Sequence, residues 1–549
     1  MSDSQDWKSS GAAALPKLCG ADIELGNFVA GASFAGGTGY EAARALLNQI
    51  EGQPSQHLMT AGKWNSRGSQ ATPTVNSYGS TASSSGAQWG WNWQDIGRRF
   101  LSENGGSAYI DLGHLELCIP EVKSAFENVA AWHAMLEVAK KARERANQQR
   151  SHERKIQVLV NNSDGLGHSY GSHLNFLIRR DTFDNIFFYK PHYLQFLASF
   201  QIAGIVLTGQ GKVGAENGRP PVPFQLCQRS DFVERIVGLP TTYERAIVNS
   251  RDEPCAGPAT LRDSLAVARL HCIFFDSALA HGSCLFRVGL MQLALTLLEL
   301  GLVNPGLILD DPLYALEEYS RDPSLKARAR LIGGERVTIV ELQSAYLEEV
   351  KRHAAAGVFD SVVPRAAEVI ALWEDTVVKL ERGDLMTLAP RLDWILKLMA
   401  IERAMDEQPS LTWDSPEVKL LDQTYSSLEG GLYFAYEESG FVEQLVPRER
   451  IDWFGQNPPE DTRAWTRAML LRRAASEGVE VDTVDWDRMV FKLRGSRSWQ
   501  SCRTLDMANP LAFTRAEAEP IFESGASFAE LLDGLESLTA NIGAACAIN

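Results

Sequence analysis

Asn104-Gly-Gly-Ser-Ala-Tyr109-Ile-Asp111-Leu-Gly-His114-Leu-Glu116 is the stretch on which the reading of this chain turns. Ala108-Tyr-Ile-Asp111 within it looks like a short strand leading into a polar loop. Side chains two apart in a strand share a face, so Tyr109 and Asp111 point the same way. His114 and Glu116 follow within five residues of Asp111, and such a segment can offer both a metal ligand and a general base. Two carboxylates near a metal can split roles, one ligating and one reacting. A strand end with a solvated polar turn has the same spacing, and spacing alone leaves the two readings level.

Three other polar clusters stand out. Gly20-Ala-Asp22-Ile-Glu24-Leu-Gly26 puts two carboxylates on one strand face, the way a sheet presents oxygen ligands to Mg²⁺. Alone it reads more simply as an exposed strand face. Asn161-Asn162-Ser-Asp164-Gly-Leu-Gly-His168-Ser-Tyr170-Gly-Ser-His173-Leu-Asn175 follows the strand-like run Ile156–Val160. Its glycines allow close backbone approach to a ligand, and its Asn and His side chains supply directional bonds. Thr208-Gly-Gln-Gly-Lys212-Val-Gly214 is a weak phosphate-cradle candidate without the full P-loop pattern. The last cluster, Asn249-Ser-Arg251-Asp-Glu253-Pro254 with Arg269-Leu-His271, reads as an ion-pair network or as phosphate contacts.

The 549 residues exceed what one core usually serves, and a net charge of −16 argues against a nucleic-acid surface. The eight cysteines form no CxxC pair and read as reduced thiols. No apolar run suggests a membrane span, and Met1-Ser-Asp-Ser-Gln-Asp does not look like a signal peptide, so a cytoplasmic location is expected. Residues 1–19 read as a loose tail, and about 55–94 as a flexible Ser/Gly-rich insert. That insert ends in Trp89, Trp91 and Trp93, either a partner-docking edge or an inward strand face. Helices are expected from about Val122 to Gln149, Leu285 to Leu302, Ile339 to Ala355, Val363 to Glu381 and Pro390 to Met405. Strands early and helices late favour an α+β fold, with a large domain over 20–445 and a small C-terminal one over 446–549.

Taken in order, these clusters resemble the Pup ligase/depupylase family, relatives of glutamine synthetase. Gly20–Gly26 matches its opening Gly-x-Glu-x-Glu-Tyr/Phe-Gly strand. Asn104–Leu117 matches its Asn-Gly-Ala-Arg-Leu-Tyr-x-Asp and His-Pro-Glu-Tyr pattern, and Asn161–Phe176 its Asn-Asn-x-Asp segment. Arg251-Asp-Glu-Pro254, Arg269-Leu-His271, Leu392-Asp-Trp394 and Pro458-Pro-Glu-Asp-Thr-Arg463 add to the match. Phe224-Gln-Leu-Cys-Gln-Arg-Ser-Asp231 and Ser320-Arg-Asp-Pro-Ser-Leu325 are of the depupylase kind. So is the spacing from Asp111 to Glu116, which lacks the extra residue of the ligase branch.

The resemblance implies a glutamine-synthetase-like curved antiparallel sheet holding ATP or ADP and Mg²⁺, closed on one side by the small domain. It implies an enzyme that deamidates the C-terminal Gln of Pup, or a Pup-like peptide, and cleaves its conjugates to lysine. Asp111 then matches the catalytic aspartate. Asp22, Glu24, Tyr109, Glu116 and His173 form the implied metal set. Trp486 and Arg463 match nucleotide contacts, with Ser107 where the pattern has a phosphate-contacting Arg; His114, Asn162, Arg251 and His271 are further candidates. The chain departs from the pattern at Asp22, Ser107, Leu174 and Cys255. An ATP-dependent ligase joining a Pup-like peptide to an amine is the alternative, and a non-catalytic binding homologue the second.

Overall fold

The computed structural model describes residues 14–32, 38–54, 96–252, 267–493 and 502–545. The tryptophans of the insert, Glu253, Pro254, Cys255 and Cys546 lie outside the described residues.

The main sheet contains β1 (Cys19–Val29), β2 (Gln53–Pro54), β3 (Ile96–Phe100), β4 (Ser107–Asp111), β5 (His114–Cys118), β6 (Ile156–Leu159), β7 (Ser172–Arg179) and the strand Val267–Cys272. Its order is Val267–Cys272, β7, β1, β5, β4, β3, β2, with β6 on the far half of β1. Every pairing in it is antiparallel.

Alternation decides what each face carries. Ile23, Leu25, Ala108, Ile110, Leu115, Leu117, Leu174 and Phe176 are all buried, and they point to the core side. Helices Ala125–Asn147 and His281–Glu299 pack there against each other and against β1 and β7. The first starts where the Ser124 hydroxyl accepts from the Phe126 amide, three residues later than the Val122 expected from its periodicity. The second is long and apolar enough to cross a membrane by composition, yet it is wholly buried in this core. The later helices fall at Ile339–Ala354, Ala366–Glu381 and Asp393–Glu407, as their spacing suggests.

Two expected boundaries move. The tail does not run to residue 19: the Leu15 amide bonds Glu299 at 3.0 Å, and Lys17 makes a buried ion pair with the same carboxylate. The Lys17 amide is also tied to the Val362 carbonyl at 3.0 Å. Nor does the C-terminal unit begin at 446, because Val446, Ile451 and Phe454 belong to the first core. A second core gathers Trp465 through Leu535 around the three-stranded sheet Glu480–Val484, Arg488–Lys492 and Cys502–Asp506. Phe100 of β3 belongs to it too, so the second unit grips the edge of the main sheet. The six described cysteines are all free.

Candidate active site

The opposite face of the main sheet carries the polar set, and register fixes who meets whom. Glu24 faces Glu116 across β1 and β5, and Glu116 faces Tyr109 across β5 and β4. One step along, Asp22 lies between Cys118 and His173. Asp111 pairs with His114 across a two-residue turn, Leu112 (φ 47°) and Gly113 (φ 93°). Two successive left-handed residues match the twist of a tight hairpin, although a leucine there costs on the order of 1 kcal/mol. Asn27 holds the turn: its amide donates to the Gly39 and Gly113 carbonyls, and its carbonyl accepts from the Leu115 amide at 2.7 Å.

Two ligand groups result, and Glu116 belongs to both. Asp22, Glu116 and His173 offer one donor atom each, all within 4.8 Å of one another. Glu24, Asp111 and Glu116 do the same. The Tyr109 hydroxyl donates to Glu116 Oε1, so Tyr109 orients a ligand. Glu24 Oε2 accepts from the Gly171 amide at 2.7 Å, and its Oε1 lies 3.8 Å from His173 Nε2. Gly171 has to be glycine for this: a Cβ there would stand 2.3 Å from His173 Nε2 and 2.6 Å from Glu24 Oε1.

Burial pushes the Glu116 carboxyl well above the usual range, and Glu24, Asp111 and Asp22 push it further. Burial opposes charge on Glu24 as well, but His173, His114 and the Gly171 amide outweigh it and hold that carboxyl below its ordinary value. Burial lowers His173, against the pull of Glu24, and drives His271 well down, which favours the neutral, ligating form of each imidazole. A half-buried set of hard oxygens that repel one another, flanked by histidine, fits a divalent cation such as Mg²⁺.

The other expected residues divide. His271 reaches the site through Asn175, whose Oδ1 lies 2.9 Å from His271 Nδ1 and whose Nδ2 donates to Asp22 at 3.0 Å. Arg251 is close enough to act on both His173 and His271. His114 clasps the hairpin, its Nδ1 2.9 Å from the Leu25 carbonyl and its ring stacked on Tyr170. Trp486 packs edge-on to Phe100, the residue that pairs with Ser107.

Three other candidates are bonded into the chain itself. Asn162 is a brace: it is fully buried and bonded to the Tyr170 carbonyl, the Ser277 hydroxyl and the Ser277 amide. Arg463 donates from its guanidinium to Glu121 at 2.8 Å and to the Met507 and Ala508 carbonyls, so it ties the second unit to the segment after β5. The Thr208–Gly214 loop is no phosphate cradle, since Lys212 is buried against Asp231 at 2.6 Å and Glu216 at 3.3 Å.

Sequence reasoning missed three arginines. Arg98 stacks 3.8 Å over the Tyr109 ring centroid. Arg229 is buried within electrostatic reach of Glu24. Arg245 is brought down to about 10 by burial and then by Arg229. These guanidiniums give the site cationic groups beside its acids, a pairing that suits a polyanion held together with a cation.

An antiparallel sheet with a carboxylate cluster on one face and helices on the other, its edge gripped by a small second unit, defines a glutamine-synthetase-like cradle. Residues 19–490 match the Pup-ligase protein family, and the chain belongs to it. A Pup deamidase/depupylase of Mycolicibacterium smegmatis is 35% identical over 435 residues, 79% of this chain and 82% of the relative. A Pup–protein ligase of Acidimicrobium ferrooxidans is 32% identical over 429 residues, 77% and 88% of the two chains. Among solved structures, the complex between prokaryotic ubiquitin-like protein Pup and its ligase PafA has a TM-score of 0.71 at 23% identity, covering 95% of each chain. PafA in complex with ADP has a TM-score of 0.65 at 25% identity, covering 81% of this chain and 90% of that one.

Proposed function

We propose that this chain is a depupylase-type amidohydrolase. It removes the amide of a C-terminal Gln from Pup or a Pup-like peptide, and cleaves the isopeptide bond between that peptide and a lysine, with ATP or ADP and Mg²⁺ bound. The observation that carries the reading is the place of Asp111. A two-residue turn holds it within 4.8 Å of donor atoms on Glu24 and Glu116, at the open end of a cluster that suits a cation. Asp22, Glu24, Glu116 and His173 would hold that cation, and Asp111 attacks the carbonyl carbon or takes a proton from water. Mg²⁺, when bound, polarises the carbonyl or phosphate oxygen beside it. Tyr109 keeps Glu116 oriented, and Asn175 does the same for Asp22. A cytoplasmic setting suits this reading.

The hydrolase is preferred because the hairpin is the short one and the Mycolicibacterium smegmatis depupylase, at 35% identity, exceeds the ligase relatives at 30–33%. Ligase relatives at 30–33% identity keep the ATP-dependent joining reaction as the second reading. The test is incubation with a Gln-ended Pup and with a Pup–lysine conjugate, each with ADP, with ATP and without nucleotide, read by mass spectrometry. Glutamate-ended Pup and free lysine-bearing protein with ADP alone are expected. New conjugate formed at the cost of ATP would replace this reading with the ligase.

A further inference from the structure

The helix side of the main sheet carries a cavity of about 540 Å³ between the last turns of helix Ala125–Asn147, the start of β6 and the segment 428–438. Arg143 lines it and is only 5% exposed. Its Nη2 is paired with Glu429, whose side chain is 55% exposed. Its Nε is buried and has no hydrogen-bond partner among the described residues. A guanidinium offers Nε and Nη2 side by side, a fork for the two oxygens of one carboxylate, and Glu429 leaves half of that fork unused. A buried donor without a partner costs stability, and a second oxygen at Nε recovers it. The main chain under Glu429 is fixed: its amide donates to the Ser427 hydroxyl at 3.2 Å, and the Leu428 amide to the Val158 carbonyl of β6 at 2.9 Å. The Glu429 side chain reaches Arg143 from that fixed chain, and its exposed carboxylate exchanges readily for another.

Two more cations line the cavity. Lys140, three residues before Arg143, sits one turn along the same helix face, with side-chain roots about 5–6 Å apart. Its ammonium lies 5.7 Å from the centre of the Phe434 ring. Lys155 joins them from the strand side, held where its Nζ donates to the Asn147 carbonyl at 2.6 Å. These cations are buried or half-buried, whereas the lining acids Glu144, Glu429 and Glu438 are exposed. Cations deeper than acids draw an anion inward. We propose that this cavity binds a small organic acid with two carboxylates, of succinate to glutarate length. One carboxylate takes the Arg143 fork in place of Glu429. The other faces Lys140 and Lys155 one helical turn away, with the apolar spacer against Phe434. The cluster around Asp111 lies on the other face of the sheet, so this binding stands apart from the action on Pup proposed above.

The test titrates glutarate, acetate and inorganic phosphate calorimetrically into the full chain and its Glu429→Gln and Arg143→Gln variants. EDTA in the buffer keeps the Glu116 cluster free of metal, and a melting curve checks that each variant folds. Glutarate is expected to bind wild type at least about tenfold tighter than acetate or phosphate. Glu429→Gln frees the fork and should tighten glutarate about three- to tenfold, while Arg143→Gln should weaken it at least about tenfold. One glutarate affinity in all three proteins would overturn the proposal, as would no detectable binding to either wild type or Glu429→Gln. Phosphate binding tighter than glutarate would overturn the dicarboxylate assignment. Glu429→Gln alters an exposed side chain, so its result decides the matter even where Arg143→Gln fails to fold.

Discussion

Glu116 and Glu121 are buried carboxylates five residues apart, and their surroundings drive them in opposite directions. Around Glu116 stand Glu24, Asp111 and Asp22, so burial and like charge both push its carboxyl up. Burial also penalises Glu121, but Arg467 and Arg463 close on it and bring it down to about 2. Arg467 further bonds the Gly105 carbonyl, and Arg463 the Met507 and Ala508 carbonyls. Glu121 therefore fastens the second unit to the main sheet with charges the chain supplies itself. The acids around Glu116 repel one another, and a ligand completes them. Burial alone does not mark a functional carboxylate; the sign of its neighbours does.

Variants can break this contrast from either side. The largest effect belongs to Asp111→Asn, expected to slow amide and isopeptide cleavage by about 10³-fold while leaving the melting temperature of the ligand-free protein unchanged or higher. Mass-spectrometric product counts and a melting curve check both halves. Next comes Glu121→Gln, which leaves two buried guanidiniums without their carboxylate. It should cost roughly 3–5 kcal/mol in denaturant unfolding and loosen the second unit first.

Acid gives the same test without mutation. Glu121 falls from an ordinary 4.5 to about 2 on folding, so its contribution is complete above pH 4.5 and drains away as pH drops toward 2. That window amounts to roughly 3 kcal/mol, and Glu121→Gln should flatten the corresponding part of the stability–pH curve. The smallest effect is a gain: Glu116→Gln relieves like-charge crowding and should stabilise the metal-free protein by about 1 kcal/mol. A destabilised Glu116→Gln in metal-free buffer would mean that the cluster is structural after all.

Much of this was legible in the sequence. The alternation in Ala21–Leu25 and Ala108–Asp111 told which residues share a face, because period two is local. Which acids meet was not legible, since that depends on pairing register and on a hairpin that accepts Leu112 at positive φ. Asn162 and Lys212 misled for a common reason: polar loops rich in glycine look alike whether they hold a ligand or tie the chain to itself. The Arg98 signal was present but indirect. It needed β3 paired to β4 with one extra residue, and nothing in Ile96-Gly-Arg-Arg-Phe100 announces a bulge beyond the glycine. The first core runs past the expected boundary at 446 because the helix Arg448–Phe454 buries Ile451 and Phe454 in it, a packing that depends on distant residues.

The most direct test of the central claim, that the Glu116 cluster is completed by a cation, is the melting temperature of ADP-loaded protein with and without Mg²⁺, in wild type and in Glu116→Gln. The account predicts a rise of several degrees on adding Mg²⁺ to wild type and little or none in the variant. Equal rises in both proteins, or no rise in wild type, would contradict it.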